Sequence, residues 1–142
     1  MPFREKSAWI SLFCLLATFG LFFVLLSRGL LGPTGMHHLH WFLMALLAFI
    51  LLQVVLHIIA RVTAPLDAKA PLDERERMIL LRASRNAYIT LFVGAVLVPL
   101  SLHLPGHLHA NFRAAPWVAL VGLFAAEVVR AISQIIYFRR GR

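Results

Sequence analysis

Apolar residues fall into four long runs along this chain, about Ala8 to Ser27, Trp41 to Ala60, Ala87 to Leu104 and Pro116 to Phe138, with polar residues gathered between them. At about 1.5 Å rise per residue, each run makes a helix on the order of 27 to 34 Å long, the thickness of a bilayer's hydrocarbon core of about 30 Å. Stretches such as WFLMALLAFILLQVVL are apolar on every side. A membrane β-barrel needs short segments of alternating polarity, so a barrel is excluded. The pattern predicts an all-α integral membrane bundle of four transmembrane helices, built as two helical hairpins in one domain covering residues 1–142, with a loop at 61–86.

The links carry their own signals. RGLLGPTGMHHLH holds Gly29, Gly32, Pro33 and Gly35, and LPGHLHANFRAAP holds Pro105 and Gly106, so each closes a hairpin. HLHWF from His38 and HLHANF from His107 approach the second and fourth runs in similar fashion, which suggests a weak parallel repeat. In PLDERERMILLRASRNAYITL, Asp73 stands at a helix start with Glu76 three residues on, the spacing of a capping box, and Glu74 suits the positive end of the dipole. Nothing from Glu74 to Val98 breaks a helix, so the third span is expected to begin in water and to kink at Pro99.

Composition agrees with the pattern. Of 142 residues 61% are hydrophobic and 14% charged, against roughly 25% charged in soluble domains. The net charge of +8 invites a nucleic-acid reading, but its distribution answers otherwise. Arg4 and Lys6 precede the first run; Arg61, Lys69, Arg75, Arg77, Arg82 and Arg85 lie between the second and third; Arg139, Arg140 and Arg142 end the chain; only Arg28 and Arg113 lie on the other side. The positive-inside rule then puts both termini and the central loop in the cytoplasm, with the bilayer itself and no nucleic acid as partner. Arg4 and Lys6 before an apolar run imitate a signal peptide, but the run is about 20 residues long and lacks an A-x-A site, so it reads as a retained anchor. Cys14 is the only cysteine, which rules out an intrachain disulfide or a cysteine zinc cluster.

The loop run DERE, Asp73 to Glu76, the ASR at Ala83 to Arg85 and the terminal YFRRG from Tyr137 together resemble a family of small four-span bacterial membrane proteins of unknown function. The resemblance implies a four-span topology in a bacterial inner (cytoplasmic) membrane and brings no activity with it. The residues Asp73, Glu74, Arg75, Glu76 and Arg77 read either as a well-capped, solvated helix turn or as a docking site for a cytoplasmic partner.

Chemistry could sit in two places. One is an intramembrane polar cluster: Glu127, Arg130 and Gln134 form a stripe at i, i+3, i+7, and Gln53 and His57 stand at i, i+4. Counted inward from Trp41 and Pro116, Gln53 and Glu127 lie roughly 16 to 18 Å deep. Because charge at that depth costs at least about 2.5 to 3.5 kcal/mol, Glu127 and Arg130 are expected to face the bundle and pair. The pair either fixes helix register or serves a small transporter or proton-coupled pore, with Glu127 exchanging a proton and His57 as a second titratable group. Small multidrug transporters also have four spans, but their essential acid is in the first, where this chain has none.

The other place is histidine. His37, His38, His40, His103, His107 and His109 fall on the outer side. His37, His40, His107 and His109 could hold zinc, copper or nickel, with Met36 a soft ligand for copper; the competing reading is ordinary interfacial histidine, and no cofactor is then needed. No nucleotide-binding, hydrolase or metalloprotease motif is present. Gly122 and Ala126, at i, i+4, would let helices approach closely. The expectation is a non-enzymatic membrane protein acting through self-association or a partner subunit.

Overall fold

The computed structural model describes residues 3–31, 36–63, 71, 73–103 and 108–140, with side chains described for 4–31, 37–63, 71, 73–100 and 116–140. It is all-α: α1 (Phe3–Leu15), a π-helical turn (Leu16–Gly20), α2 (Leu21–Ser27), α3 (Met36–Thr63), α4 (Glu74–His103) and α5 (Leu108–Arg140). Four stretches, Arg4–Ser27, His37–Thr63, Glu74–Leu100 and Pro116–Arg140, are long and apolar enough to cross a membrane. The chain divides into two compact units, residues 1–71 and 72–142, and each is a helical hairpin.

Three helices begin or run beyond the apolar segments that announce them. Helix α3 starts at Met36 rather than Trp41, so His37, His38 and His40 lie on its first turns and not in a loop. Nothing in MHHLH opposes helix, whereas Pro33 and Gly35 just before it do. Helix α5 starts at Leu108 and passes through Pro116, although that proline has no N–H to give the preceding turn. Helix α4 begins at Glu74 as its acidic start requires and continues through Pro99 to His103. Apolar content marks what lipid can cover, while the helix itself ends only where the backbone is stopped. The turn residues Gly32, Pro33, Gly35, Pro105 and Gly106, and Lys69 in the central loop, lie outside the described residues.

In the first hairpin, α1, the π-helical turn and α2 pack on α3. Thr18 Oγ1 donates to the Cys14 carbonyl at 2.6 Å within this bulged region. The first span ends in a double hydrogen bond, Gly29 N–H to the Leu26 carbonyl and Leu30 N–H to the Leu25 carbonyl, each 3.1 Å. This is a Schellman stop, and Gly29 at φ 67° supplies the left-handed residue it needs. Within the bulge, Phe19 meets Phe42 and Phe49 with centroids 6.0 and 5.5 Å apart. Phe22 stands edge-on to Phe42 at 5.9 Å, an arrangement that suits the aromatic quadrupole.

In the second hairpin α4 and α5 approach much more closely. Gly94 and Gly122 face each other, and a Cβ added to Gly94 would stand 3.0 Å from the Gly122 Cα. Ala83, Ala126 and Ala131 are buried along the same seam, with Ile79, Ile135 and Phe138. Small side chains permit this approach, and dispersion between the touching backbones is what holds it in lipid. Gly122 and Ala126 thus occupy the helix interface their spacing suggested.

Candidate functional site

The polar residues of the spans sort into three groups. In the first hairpin, Ser7 and Ser11 stand one turn apart on α1, opposite His57 and Gln53, one turn apart on α3. Ser7 Oγ lies 2.8 Å from His57 Nε2, and Gln53 Nε2 donates to Ser11 Oγ at 3.0 Å. His57 Nδ1 lies 2.8 Å from the Gln53 backbone carbonyl. A carbonyl can only accept, so Nδ1 carries the proton; in the neutral ring Nε2 is then the acceptor and Ser7 donates to it. The result is a two-rung ladder across antiparallel helices. Gln53 Oε1 is buried and accepts no hydrogen bond among the described residues.

A hydroxyl donating to an imidazole whose other nitrogen is fixed is also the arrangement of an activated nucleophile. Acyl transfer needs in addition two or more donors aimed at a developing oxyanion. Ser7 lies within α1, where interior amides are committed to the helix, and its ladder joins α1 to α3.

The second group is in the other hairpin. Asn86 Nδ2 donates to Ser133 Oγ at 3.2 Å and to Tyr137 Oη at 3.1 Å, while Thr90 Oγ1 donates back to the Asn86 carbonyl at 3.0 Å. Asn86, Thr90 and Ser133 were not singled out in the sequence, and Tyr137 only as the start of the terminal YFRRG. Their signal was a helical stripe of neutral polar residues, Asn86 and Thr90 at i, i+4 and Ser133 and Tyr137 at i, i+4, weaker to the eye than two opposite charges. Ser7 and Ser11 carry the same i, i+4 signal.

The third group is the ion pair. Arg130 Nη2 lies 2.8 Å from Glu127 Oε2, both on α5, with the arginine side chain 46% and the glutamate 39% exposed. Gln134, on the same helix, is half-buried. The five residues of the expected intramembrane cluster are therefore divided: Gln53 and His57 belong to one hairpin, Glu127, Arg130 and Gln134 to the other.

Of the histidines, His37 and His40 are exposed on the first turns of α3. His107 lies outside the described residues, as do the side chains of His103 and His109. Among the described residues no group of three or more histidine, cysteine or acidic side chains is placed to hold a metal. In the DERER run the Asp73 N–H reaches Glu76 Oε2 at 3.4 Å, the backward half of a capping box. Asp73, Glu74, Arg75 and Arg77 are exposed and Glu76 half-buried.

A shallow recess of about 350 Å³ opens beside α3, lined by Gln53, Val54, His57, Ile58 and Arg61. No known protein family, characterised protein or solved structure matches the chain.

Proposed function

We propose that the chain is a non-enzymatic multi-pass protein of the bacterial inner membrane that works by assembling, with a second copy or with a partner subunit, its termini and central loop facing the cytoplasm. One observation carries this reading: Ala60 is the only described side chain of α3 that is buried. Met44, Leu47, Leu51 and Val55 all stand about half exposed along that helix. The Ser7–His57, Ser11–Gln53 and Asn86–Ser133–Tyr137 contacts each lie within one hairpin, while the apolar faces offer the close packing that drives association in lipid. Glu127 is engaged by Arg130 on its own helix, and use as a proton carrier would first have to break that contact. The resemblance of the Asp73 to Glu76 run to the four-span bacterial family supports the membrane assignment.

The test is disulfide trapping in native membranes, with Cys14→Ser and a new cysteine at Leu47 or Leu51, together with the mass of the full chain in mild detergent. Cross-linked dimers or a stoichiometric co-purifying subunit are expected. A monomeric mass with no cross-link from either position would overturn the proposal. Sidedness is checked by cysteines placed at Gly35, Gly106 and Ala70: an impermeant thiol reagent applied outside should label the first two and spare the third.

A further inference from the structure

The recess beside α3 joins two kinds of surface. Val54 and Ile58 give it apolar wall, and Arg61, one turn beyond His57, gives it a cation at the rim. Gln53, His57 and Arg61 repeat at i, i+4, i+8, so they share one face of the helix. His57 has both ring nitrogens engaged, by Ser7 and by the Gln53 carbonyl, and Gln53 has its amide nitrogen on Ser11. Arg61 is exposed and has no hydrogen bond or ion pair among the described residues. It stands in the last turn of the span His37–Thr63, the level at which an apolar helix leaves hydrocarbon and meets phosphate. The ladder register, Ser7 to His57 and Ser11 to Gln53, sets Arg4 of α1 level with Ala60, so α1 brings Arg4 and Lys6 to the same end. Glu5, buried, is an acidic residue on that end of α1.

We propose that this recess seats one anionic glycerophospholipid, its phosphate on the Arg61 guanidinium and the upper part of an acyl chain against Val54 and Ile58. A guanidinium is suited to the task because its forked donors match two phosphate oxygens and it stays charged at every accessible pH. The walls then cover methylenes that would otherwise meet disordered lipid, which separates a seated lipid from the diffuse attraction that any basic residue has for an acidic leaflet. The inference needs a membrane location; Ile58 shares the α3 face of Leu47 and Leu51, so the lipid is counted on the protein at the mass at which it is retained, which separates this site from the assembly reading.

The experiment uses the full chain in neutral detergent, where no charged leaflet exists and only a seated lipid is retained. Phosphatidylglycerol and phosphatidylcholine are added in equal amounts and the lipid carried by the folded protein is counted by native mass spectrometry. One retained phosphatidylglycerol is expected. Arg61→Gln should lower its retention about fivefold, the factor expected for one basic contact. Val54→Trp, which fills the recess without changing charge, should lower it as well, while Arg82→Gln, an exposed arginine on α4, should leave it unchanged. Equal retention of the two lipids, or equal losses from Arg61→Gln and Arg82→Gln, would overturn the proposal. So would displacement of the lipid by millimolar inorganic phosphate, which would make the recess a site for free phosphate.

Discussion

The two hairpins solve one problem by different means. The first joins its helices through long side chains, an aromatic cluster at Phe19, Phe22, Phe42 and Phe49 above a serine, histidine and glutamine ladder. The second brings backbone against backbone at Gly94 and Gly122 and places its polar knot, Asn86 with Ser133 and Tyr137, on the same seam. In lipid no hydrophobic force distinguishes helix contact from chain contact, so stability comes from packing density and from polar groups that would otherwise lack partners. On that ground the second hairpin is the firmer. The polar atoms differ too: Asn86 reaches two acceptors with one nitrogen, whereas the first ladder leaves Gln53 Oε1 buried without a donor among the described residues.

The comparison breaks most directly at the glycines. Gly94→Leu or Gly122→Leu drives a side chain into backbone that stands 3.0 to 3.2 Å from the first added carbon, and backbone cannot rotate away. The expected loss is about 1 to 3 kcal/mol or more, the cost of overpacking a close seam. Unfolding of the purified protein in a denaturing detergent, followed by circular dichroism, measures it. Gly20→Leu is the matched control, since a Cβ there meets nothing within 4 Å, and equal losses at the three glycines would remove the contrast.

Polar substitutions come next. Asn86→Leu removes both donors to Ser133 and Tyr137 and is expected to cost about 1 to 2 kcal/mol, the upper end for polar contacts between membrane helices. Ser7→Ala leaves His57 Nε2 unpaired and should cost about 0.6 kcal/mol, nearer the membrane average. Gln53→Leu loses one rung but also removes the buried unpaired Oε1, whose burial costs about 1 to 3 kcal/mol, so the variant should be neutral or slightly more stable in the same assay. A Gln53→Leu loss as large as that of Asn86→Leu would show that Oε1 has a donor after all.

These expectations also mark what the sequence carries. The four helices were legible because long, mostly apolar runs admit one structure in lipid, and Glu74 as a start was legible from Asp73 and Glu76. The early starts of α3 and α5 were not, since hydropathy reports preference for lipid and is blind to helix that continues into polar sequence. Glu127 and Arg130 drew notice because charge is rare in such a run. Ser7, Ser11, Asn86, Thr90 and Ser133 did not, because a neutral hydroxyl or amide costs little in a helix and its partner depends on a register between helices that spacing alone does not set.

The ion pair gives the smallest expected effect, and the reason is topological. A pair buried between elements costs about 3 to 5 kcal/mol when broken from one side, and depth alone would place Glu127 and Arg130 in that class. Both residues stand on α5 at i, i+3 and both are more than one-third exposed. When the hairpin opens in the membrane, α5 persists as a helix and the pair persists with it, so its energy largely cancels between the open and closed states. What remains is the value of an exposed helical pair, about 0.2 to 0.5 kcal/mol. A double-mutant cycle of Glu127→Gln, Arg130→Met and the combination, read by unfolding in denaturing detergent, should therefore give a coupling energy within about 0.5 kcal/mol of zero, the range in which separate sites add. A coupling of several kcal/mol would mean that the pair is contacted from outside α5 in the assembled protein. Its location would then change from a surface of the second hairpin to an interface.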